Sequence, residues 1–103
     1  MKFLCICQYG HSRSVALSRV LQQRGHAAVA IGWMTSGDAM KPLAQWADKI
    51  CVLETHFRQY VPSEHIGKVI DFNVGRDRWS NPYNQELLAI LGGMADEKLR
   101  GIA

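Results

Sequence analysis

Short apolar runs alternate with segments of helical spacing along the chain, and this alternation constrains the fold more than any other feature. Each run is bounded by polar or glycine-containing turns and has the length of a buried strand. The predicted strands are residues 2–6, 27–31, 49–53 and 68–72. Between them, apolar residues recur at helical spacing, which predicts helices over 12–24, over 39–47 and from Pro82 onward, with a short helix or turn at 55–61.

Strands that alternate with helices pair in parallel and bury both faces of their sheet. We expect a flavodoxin-like three-layer αβα fold, with a four-stranded parallel sheet in the order 2-1-3-4 and right-handed crossovers. Ligands bind such folds at the carboxyl edge of the sheet, where neighbouring strands send their helices to opposite faces. Asp38 and Asn81 are the expected N-caps of the second and third helices.

A chain of 103 residues can bury one core, so we expect a single domain over residues 1–103. No apolar stretch approaches the ~20 residues of a membrane span, and the N-terminus lacks the pattern of a signal peptide. We therefore expect a cytoplasmic protein without membrane association. A net charge of +3 suits an anionic ligand, but no stripe of basic residues indicates nucleic-acid binding.

The cysteine content argues against disulfides and against zinc. Cys5, Cys7 and Cys51 are an odd number, and no Cys-x2-Cys pair is present. The histidines form no metal-ligating pair with His11, so we expect no metal and no cofactor. A reducing compartment fits this pattern. Cys51 lies within a predicted strand, where a buried and inert thiol is expected.

The first predicted strand leads directly into Cys7, and Arg13 and Ser14 follow at the start of the first predicted helix. A helix start holds an oxyanion through its unpaired N–H groups and its dipole, and the same field favours a thiolate. Arg13 can bind two phosphate oxygens at once, and the Ser14 hydroxyl can donate to the sulfur. The arrangement is typical of a cysteine that attacks a phosphate monoester. The expected phosphate-binding residues are Gln8, Tyr9, Gly10, His11, Ser12, Arg13 and Ser14.

Residues 7–14 resemble the phosphate-binding loop of the low-molecular-weight protein tyrosine phosphatase superfamily, especially its compact bacterial branch. Residues 46–56 are similar to that family's Ala-Asp-x-Ile strand and the His that follows it, where a structural role is expected. The resemblance implies a phosphocysteine mechanism, with Cys7 as the nucleophile and Arg13 as the clamp on the phosphate.

The loop departs from the best-known form of the family at three positions. Tyr9 stands in place of a Gly, Gly10 in place of an Asn, and Ser12 in place of a second Cys. Gly and Asn both tolerate the left-handed backbone that a cradle loop requires. The missing second Cys removes the usual redox-protecting partner within the loop.

A cysteine phosphatase also needs an acid that protonates the leaving oxygen, which typically contributes about 10²–10⁴-fold. In the family this acid follows the fourth strand, in a Val-Pro-Asp sequence with an aromatic residue two positions later. Residues 74–79 are similar with one residue inserted, and the resemblance points to Asp77. A rival alignment places the family's Asp-Pro-Tyr on residues 81–83, but Asn81 has no proton to give at neutral pH. Asp71, at a strand end, is the weaker candidate.

Aromatic residues at the same edge are candidates for the pocket wall. Trp33 and Trp79 would grip the flat ring of phosphotyrosine, although Trp33 could equally pack its loop onto the core. Tyr9 and His11 either shape the mouth of the pocket or are tolerated loop residues, and His11 is the next candidate for the acid.

These features predict a phosphatase for phosphate monoesters, above all protein phosphotyrosine, acting through Cys7. The expected partners are a phosphorylated protein or a small aryl phosphate, with inorganic phosphate or sulfate also binding the loop. One alternative is a phosphate-carrying cysteine module like the IIB subunits of sugar transport, which needs neither Arg13 nor Asp77. The other is an arsenate reductase, which needs further cysteines for a redox relay. The physiological substrate and the oligomeric state stay open.

Overall fold

Four parallel strands form one sheet in the computed structural model, which describes residues 1–101. The strands are β1 (Lys2–Cys7), β2 (Ala27–Gly32), β3 (Lys49–Val52) and β4 (Val69–Asp71). Their order is β2-β1-β3-β4, and every neighbouring pair is parallel. The sequence-based prediction of the sheet is confirmed, with strand ends that differ by one residue.

Within residues 1–101, three α-helices cover the sheet: α1 (Arg13–Gln23), α2 (Met40–Trp46) and α3 (Gln85–Lys98). α1 packs on β1, β2 and α3, whereas α2 contacts β1 from the other layer. Short 3₁₀ segments occupy Gly37–Ala39, Thr55–Tyr60 and Ser63–Lys68. The predicted three-layer flavodoxin-like arrangement is confirmed. Among residues 1–101, no helix is both long and apolar enough to span a bilayer.

The centre of the core is β1, which lies between β2 and β3 and is buried from Phe3 to Cys7. Its residue Cys5 lies opposite Cys51 of β3 in the sheet register. Burial, followed by contact with Cys51, raises the pKa of the Cys5 thiol well above its usual value. The Cys5 thiol is therefore held protonated in the core. Cys51 is fully buried, as the sequence predicted.

The start of α3 differs from the prediction. Asn84, rather than Asn81, is the N-cap, and its side chain accepts a hydrogen bond from the N–H of Leu87 at 3.1 Å. Residues 81–84 form a turn instead, with the N–H of Asn84 donating to the carbonyl of Asn81 at 3.2 Å. Pro82 occupies the turn position that proline favours, so the helix begins three residues after it.

The start of the second helix also differs. Asp38 makes no capping bond to α2, because a 3₁₀ turn over Gly37–Ala39 precedes the helix and Ala39 is its N-cap. Pro42 does lie in the first turn of α2, where the missing N–H costs no hydrogen bond.

Candidate active site

The cradle loop, defined as residues 8–12 between β1 and α1, is held by the brace, defined as residues 33–35 after β2. The brace donates to three consecutive carbonyls: Trp33 N to Cys7 at 3.0 Å, Met34 N to Gln8 at 3.1 Å and Thr35 Oγ1 to Tyr9 at 3.2 Å. With the carbonyls of Gln8 and Tyr9 engaged by the brace, the first half of the cradle loop turns them away from the cleft and leaves its N–H groups to offer an anion.

Two glycines permit the close approach of the cradle loop to β2. Gly10 has a φ of +76°, a left-handed conformation that side chains rarely adopt. A Cβ on Gly10 would lie 2.6 Å from the backbone nitrogen of Gly32, and a Cβ on Gly32 would lie 2.6 Å from the nitrogen of Gly10. The shape of the loop therefore depends on both positions lacking a side chain.

This packing predicts that Gly32→Ala displaces the cradle loop. Overpacking of this kind typically costs about 1–3 kcal/mol, so we expect a lower melting temperature together with weaker binding of inorganic phosphate. The matched control is Gly93→Ala in α3, where a Cβ meets nothing within 4 Å. There, thermal unfolding should show equal or greater stability, because Ala favours helix. An unchanged phosphate affinity in Gly32→Ala would contradict the prediction.

Cys7 ends β1 at the base of a cleft, with only 3% of its surface exposed. The N–H of Gly10 donates to its sulfur at 3.1 Å, and the hydroxyl of Ser14 lies 3.0 Å from it. Two donors at these distances stabilise a sulfur that carries negative charge. Gly10 and Ser14 therefore contact the Cys7 sulfur directly as hydrogen-bonding groups.

Arg13, the first residue of α1, is only 3% exposed and faces the same cleft. Its Nη1 donates to Glu54 at 2.7 Å and to the carbonyl of Gly75 at 2.6 Å, and its guanidinium lies 5.6 Å from the ring centre of Phe57. Its Nε is buried and has no hydrogen-bond partner among the described residues. The protein thus fixes the guanidinium through Nη1, whereas the buried Nε–H has no acceptor among the described residues.

Asp77 lies in the loop between β4 and α3 and contacts the cradle loop. One carboxylate oxygen accepts from the hydroxyl of Ser12, and the other accepts from the N–H groups of Trp79 at 3.1 Å and Ser80 at 2.9 Å. Burial acts to raise the pKa of Asp77, but these hydrogen bonds and the charge of Arg13 outweigh it and lower the pKa below its usual value. Asp77 is therefore a carboxylate at neutral pH.

The cleft has a volume of about 670 Å³ and brings most of the predicted site residues together. Trp33 is one wall, stacked on Tyr60 with ring centres 3.8 Å apart and tilted towards Phe57 at 6.0 Å. This stacking packs the loop of Trp33 against the core, and the indole also lines the cleft. The predicted residues that line the cleft are Cys7, Gln8, Tyr9, His11, Ser12, Arg13, Trp33 and Asp77.

Trp79 does not line the cleft, contrary to the prediction. Its indole N–H donates to Glu86 at 2.9 Å, and Arg78 lies over its ring at 4.5 Å, which turns the side chain towards α3. Asp71, the weaker acid candidate, is also outside the cleft. It accepts from the hydroxyl of Thr55 at 2.8 Å and from its own loop.

Several residues that line the cleft were not among the predicted site residues. Glu54 pairs with Arg13, Phe57 lies under the guanidinium, and His56 and Arg76 line the rim. Glu54 could have been predicted, because it lies two residues after the end of β3. Folds with parallel sheets bind their ligands at this carboxyl edge of the sheet. Phe57 could not have been predicted, because its role depends on how the 3₁₀ segment folds back on α1.

Comparison with known proteins gives structural matches only. No protein-family model matches the chain, and no curated protein matches it. Among solved structures, a low-molecular-weight protein tyrosine phosphatase from Bacillus subtilis is 14% identical, with a TM-score of 0.68 and 97% of each chain covered. The fold is that of the low-molecular-weight protein tyrosine phosphatases.

Two further structures with this phosphatase fold carry different descriptions. Wzb from Vibrio vulnificus, in complex with benzylphosphonate, is 18% identical with a TM-score of 0.65, covering 98% of this chain and 95% of that one. The YwlE arginine phosphatase from Geobacillus stearothermophilus is 12% identical with a TM-score of 0.68, covering 93% and 91%. At these identities the likeness is one of fold, and the chemistry of this chain has to be argued from its own side chains.

Proposed function

We propose that this protein is a phosphatase that hydrolyses phosphate monoesters, with phosphotyrosyl proteins as the substrate class, through a phosphocysteine on Cys7. The observation that carries the proposal is the buried Nε of Arg13, which lacks a partner in the same cleft as the Cys7 sulfur. A buried charged donor without an acceptor is costly. An oxyanion of tetrahedral shape, bound over the sulfur, supplies the missing acceptor and places phosphorus in line for attack.

Two half-reactions follow from the positions of the side chains. In the first, Cys7 Sγ attacks phosphorus while the bond to the leaving oxygen breaks, and Asp77 gives that oxygen its proton. In the second, a water attacks the phosphocysteine, Asp77 takes the proton of that water, and the S–P bond breaks to release phosphate and the Cys7 thiolate. Arg13 and the N–H groups of the cradle loop stabilise the phosphoryl oxygens throughout.

The aromatic wall supports an aryl phosphate. Trp33 is held rigid by Tyr60 and Phe57, so it can contact a flat ring without losing conformational freedom. The benzylphosphonate in the name of the Vibrio vulnificus structure is a phosphonate joined to a similar ring. An alkyl phosphate such as phosphoserine would not reach this wall with comparable apolar area.

The alternatives suggested by the sequence receive less support. A phosphate-carrying module transfers its phosphoryl group to another acceptor and needs no acid, yet Asp77 lies in the cleft beside Ser12. An arsenate reductase needs accessible thiols beyond the nucleophile. Cys5 and Cys51 are fully buried.

Rapid-quench kinetics with a phosphotyrosyl peptide test the proposal. We expect a phosphocysteine on Cys7 that forms within the first turnover and then hydrolyses, with inorganic phosphate released in excess of enzyme. A phosphocysteine that accumulates without hydrolysis would indicate a carrier instead. Phosphoseryl and phosphoarginyl peptides of the same sequence test the substrate class, and faster turnover of either would overturn the assignment to phosphotyrosine.

A further inference from the structure

Ser12 occupies the N-cap position of α1 but does not cap the helix. Serine at this position ordinarily accepts a hydrogen bond from one of the first helical N–H groups. Here its side chain makes no such bond, and its hydroxyl donates to the carboxylate of Asp77 instead. The residue is 5% exposed, so little of it is accessible to water. From the sequence, Ser12 was predicted only as one of the phosphate-binding residues, and its contact with Asp77 was not predicted.

The bond joins two loops that belong to different parts of the chain. Ser12 lies in the cradle loop after β1, whereas Asp77 lies in an irregular loop between β4 and α3, 65 residues away. The second oxygen of Asp77 is occupied by the N–H groups of Trp79 and Ser80. The oxygen on Ser12 is therefore the one that can carry a proton to a leaving group in the cleft.

We propose that Ser12 is the positioning residue for Asp77. The Ser12 hydroxyl holds the acid loop, defined as residues 72–84 between β4 and α3, against the cradle loop and sets one carboxyl oxygen of Asp77 beside the bound phosphate ester. This inference rests on the proposed function and deepens it. Because the hydroxyl is diverted from the helix, the first N–H groups of α1 also keep no side-chain acceptor and remain open to the anion. One serine thus serves both the acid and the anion site.

The pH dependence of the reaction distinguishes positioning from simple packing. The Ser12 bond contributes to the lowered pKa of Asp77, so removing the hydroxyl raises that pKa, and the acid then stays protonated to higher pH. Other titratable or charged groups also face the cleft, so every variant compared must keep them unchanged. These groups are Cys7, His11, Arg13, Glu54, His56 and Arg76, with Arg78 beside them in the acid loop.

The experiment compares Ser12→Ala with Ser12→Thr, which keeps a hydroxyl. For Ser12→Ala we expect the basic limb of kcat/KM to move to higher pH, and phosphorylation of Cys7 by phenyl phosphate to slow by up to about 10²-fold, the cost of misplacing a reacting group. Phosphorylation by p-nitrophenyl phosphate, whose leaving group needs little protonation, should slow far less. Ser12→Thr should keep the parent's pH profile.

Carbon-13 NMR titration of the Asp77 carboxyl in the free protein gives a readout that does not depend on turnover. Its midpoint should move to higher pH in Ser12→Ala and stay in place in Ser12→Thr. If the parent forms no phosphocysteine but the midpoint still shifts, the proposed function fails while the Ser12–Asp77 contact stands. If Ser12→Ala shifts neither the midpoint nor the basic limb and slows both esters equally, the positioning role is overturned. The Ser12 variants are then compared again in a protein that also carries His11→Gln and His56→Gln, so that the basic limb of kcat/KM can be assigned to Asp77. If Ser12→Ala no longer shifts the basic limb in that protein, the positioning role is likewise overturned.

Discussion

Cys7→Ser should lower kcat for p-nitrophenyl phosphate by 10⁴-fold or more, on the order of what deleting a nucleophile costs other hydrolases. A serine hydroxyl in this position has no base beside it, because the groups next to the sulfur are the N–H of Gly10 and the hydroxyl of Ser14, both suited to donating. These groups stabilise an anion and cannot activate a neutral alcohol. Under the proposed mechanism, we therefore expect the introduced serine to be a far weaker nucleophile than the thiolate.

Binding of inorganic phosphate to Cys7→Ser should be retained or improved. The cradle loop keeps its bonds to the brace, and Arg13 keeps its bonds to Glu54 and Gly75, so the anion site is intact. Replacing a thiolate by a neutral hydroxyl also removes repulsion of a dianion. Isothermal titration calorimetry with phosphate measures this directly.

The matched control for Cys7→Ser is Cys51→Ala. Cys51 is a fully buried thiol on the neighbouring strand that faces Cys5 in the register, so its loss should lower stability and leave kcat unchanged. Residual activity in Cys7→Ser comparable to that of the parent would rule out the phosphocysteine, whatever the phosphate affinity. Loss of phosphate binding together with activity would instead mean that Cys7 is needed to form the loop.

The parts of the site that are local in sequence were predictable. Cys7, Gly10 and Arg13 lie within one strand–loop–helix unit, so their spacing alone determines that the sulfur and the guanidinium share a helix start. The sheet order was predictable for a similar reason, because short apolar runs separated by helices permit few windings. In the confirmed strand order, β1 and β3 are parallel neighbours, so their carboxyl ends lie side by side at the same edge of the sheet.

The parts that depend on irregular backbone were not predictable. Trp79 has a suitable position in the sequence, but its N–H found an acceptor in Glu86 and turned the ring away from the cleft. Phe57 and the Ser12–Asp77 bond arise where a 3₁₀ segment and a long loop fold back on α1. No periodicity or spacing in the sequence indicates such contacts, because they depend on tertiary packing between distant segments.

The charges of the cleft bear on the proposed role of Asp77 as the acid, because its carboxyl group is ionised in the free protein. Glu54 already neutralises Arg13 at 2.7 Å, and the thiolate that the proposed mechanism requires at Cys7 adds a further negative charge. A phosphate dianion that enters this cleft comes close to Asp77, and a nearby like charge favours the protonated form of a carboxyl group. We therefore expect Asp77 to take up a proton when substrate binds, so that the basic limb of kcat lies at higher pH than that of kcat/KM, which reports the free enzyme.

Asp77→Asn should slow phosphorylation of Cys7 by phenyl phosphate by about 10²–10⁴-fold, the usual contribution of a general acid. Phosphorylation by p-nitrophenyl phosphate should slow far less, because p-nitrophenolate departs with little help from a proton. The basic limb should disappear: the rate falls as pH rises through the pKa of Asp77 in the complex, and an amide has no proton to lose. Single-turnover kinetics over a range of pH measure both effects at the phosphorylation step.

The matched control for Asp77→Asn is Asp71→Asn, a second carboxylate of the β4 region that holds Thr55 and lies outside the cleft. It should slow both esters equally or neither, and keep the basic limb. Separation of the two leaving groups by Asp71→Asn, with none by Asp77→Asn, would assign the acid to Asp71. Separation by neither variant would leave His11 as the remaining donor in the cleft, and a further His11→Gln variant that also fails to separate them would show that this cleft binds phosphate esters without protonating their leaving group.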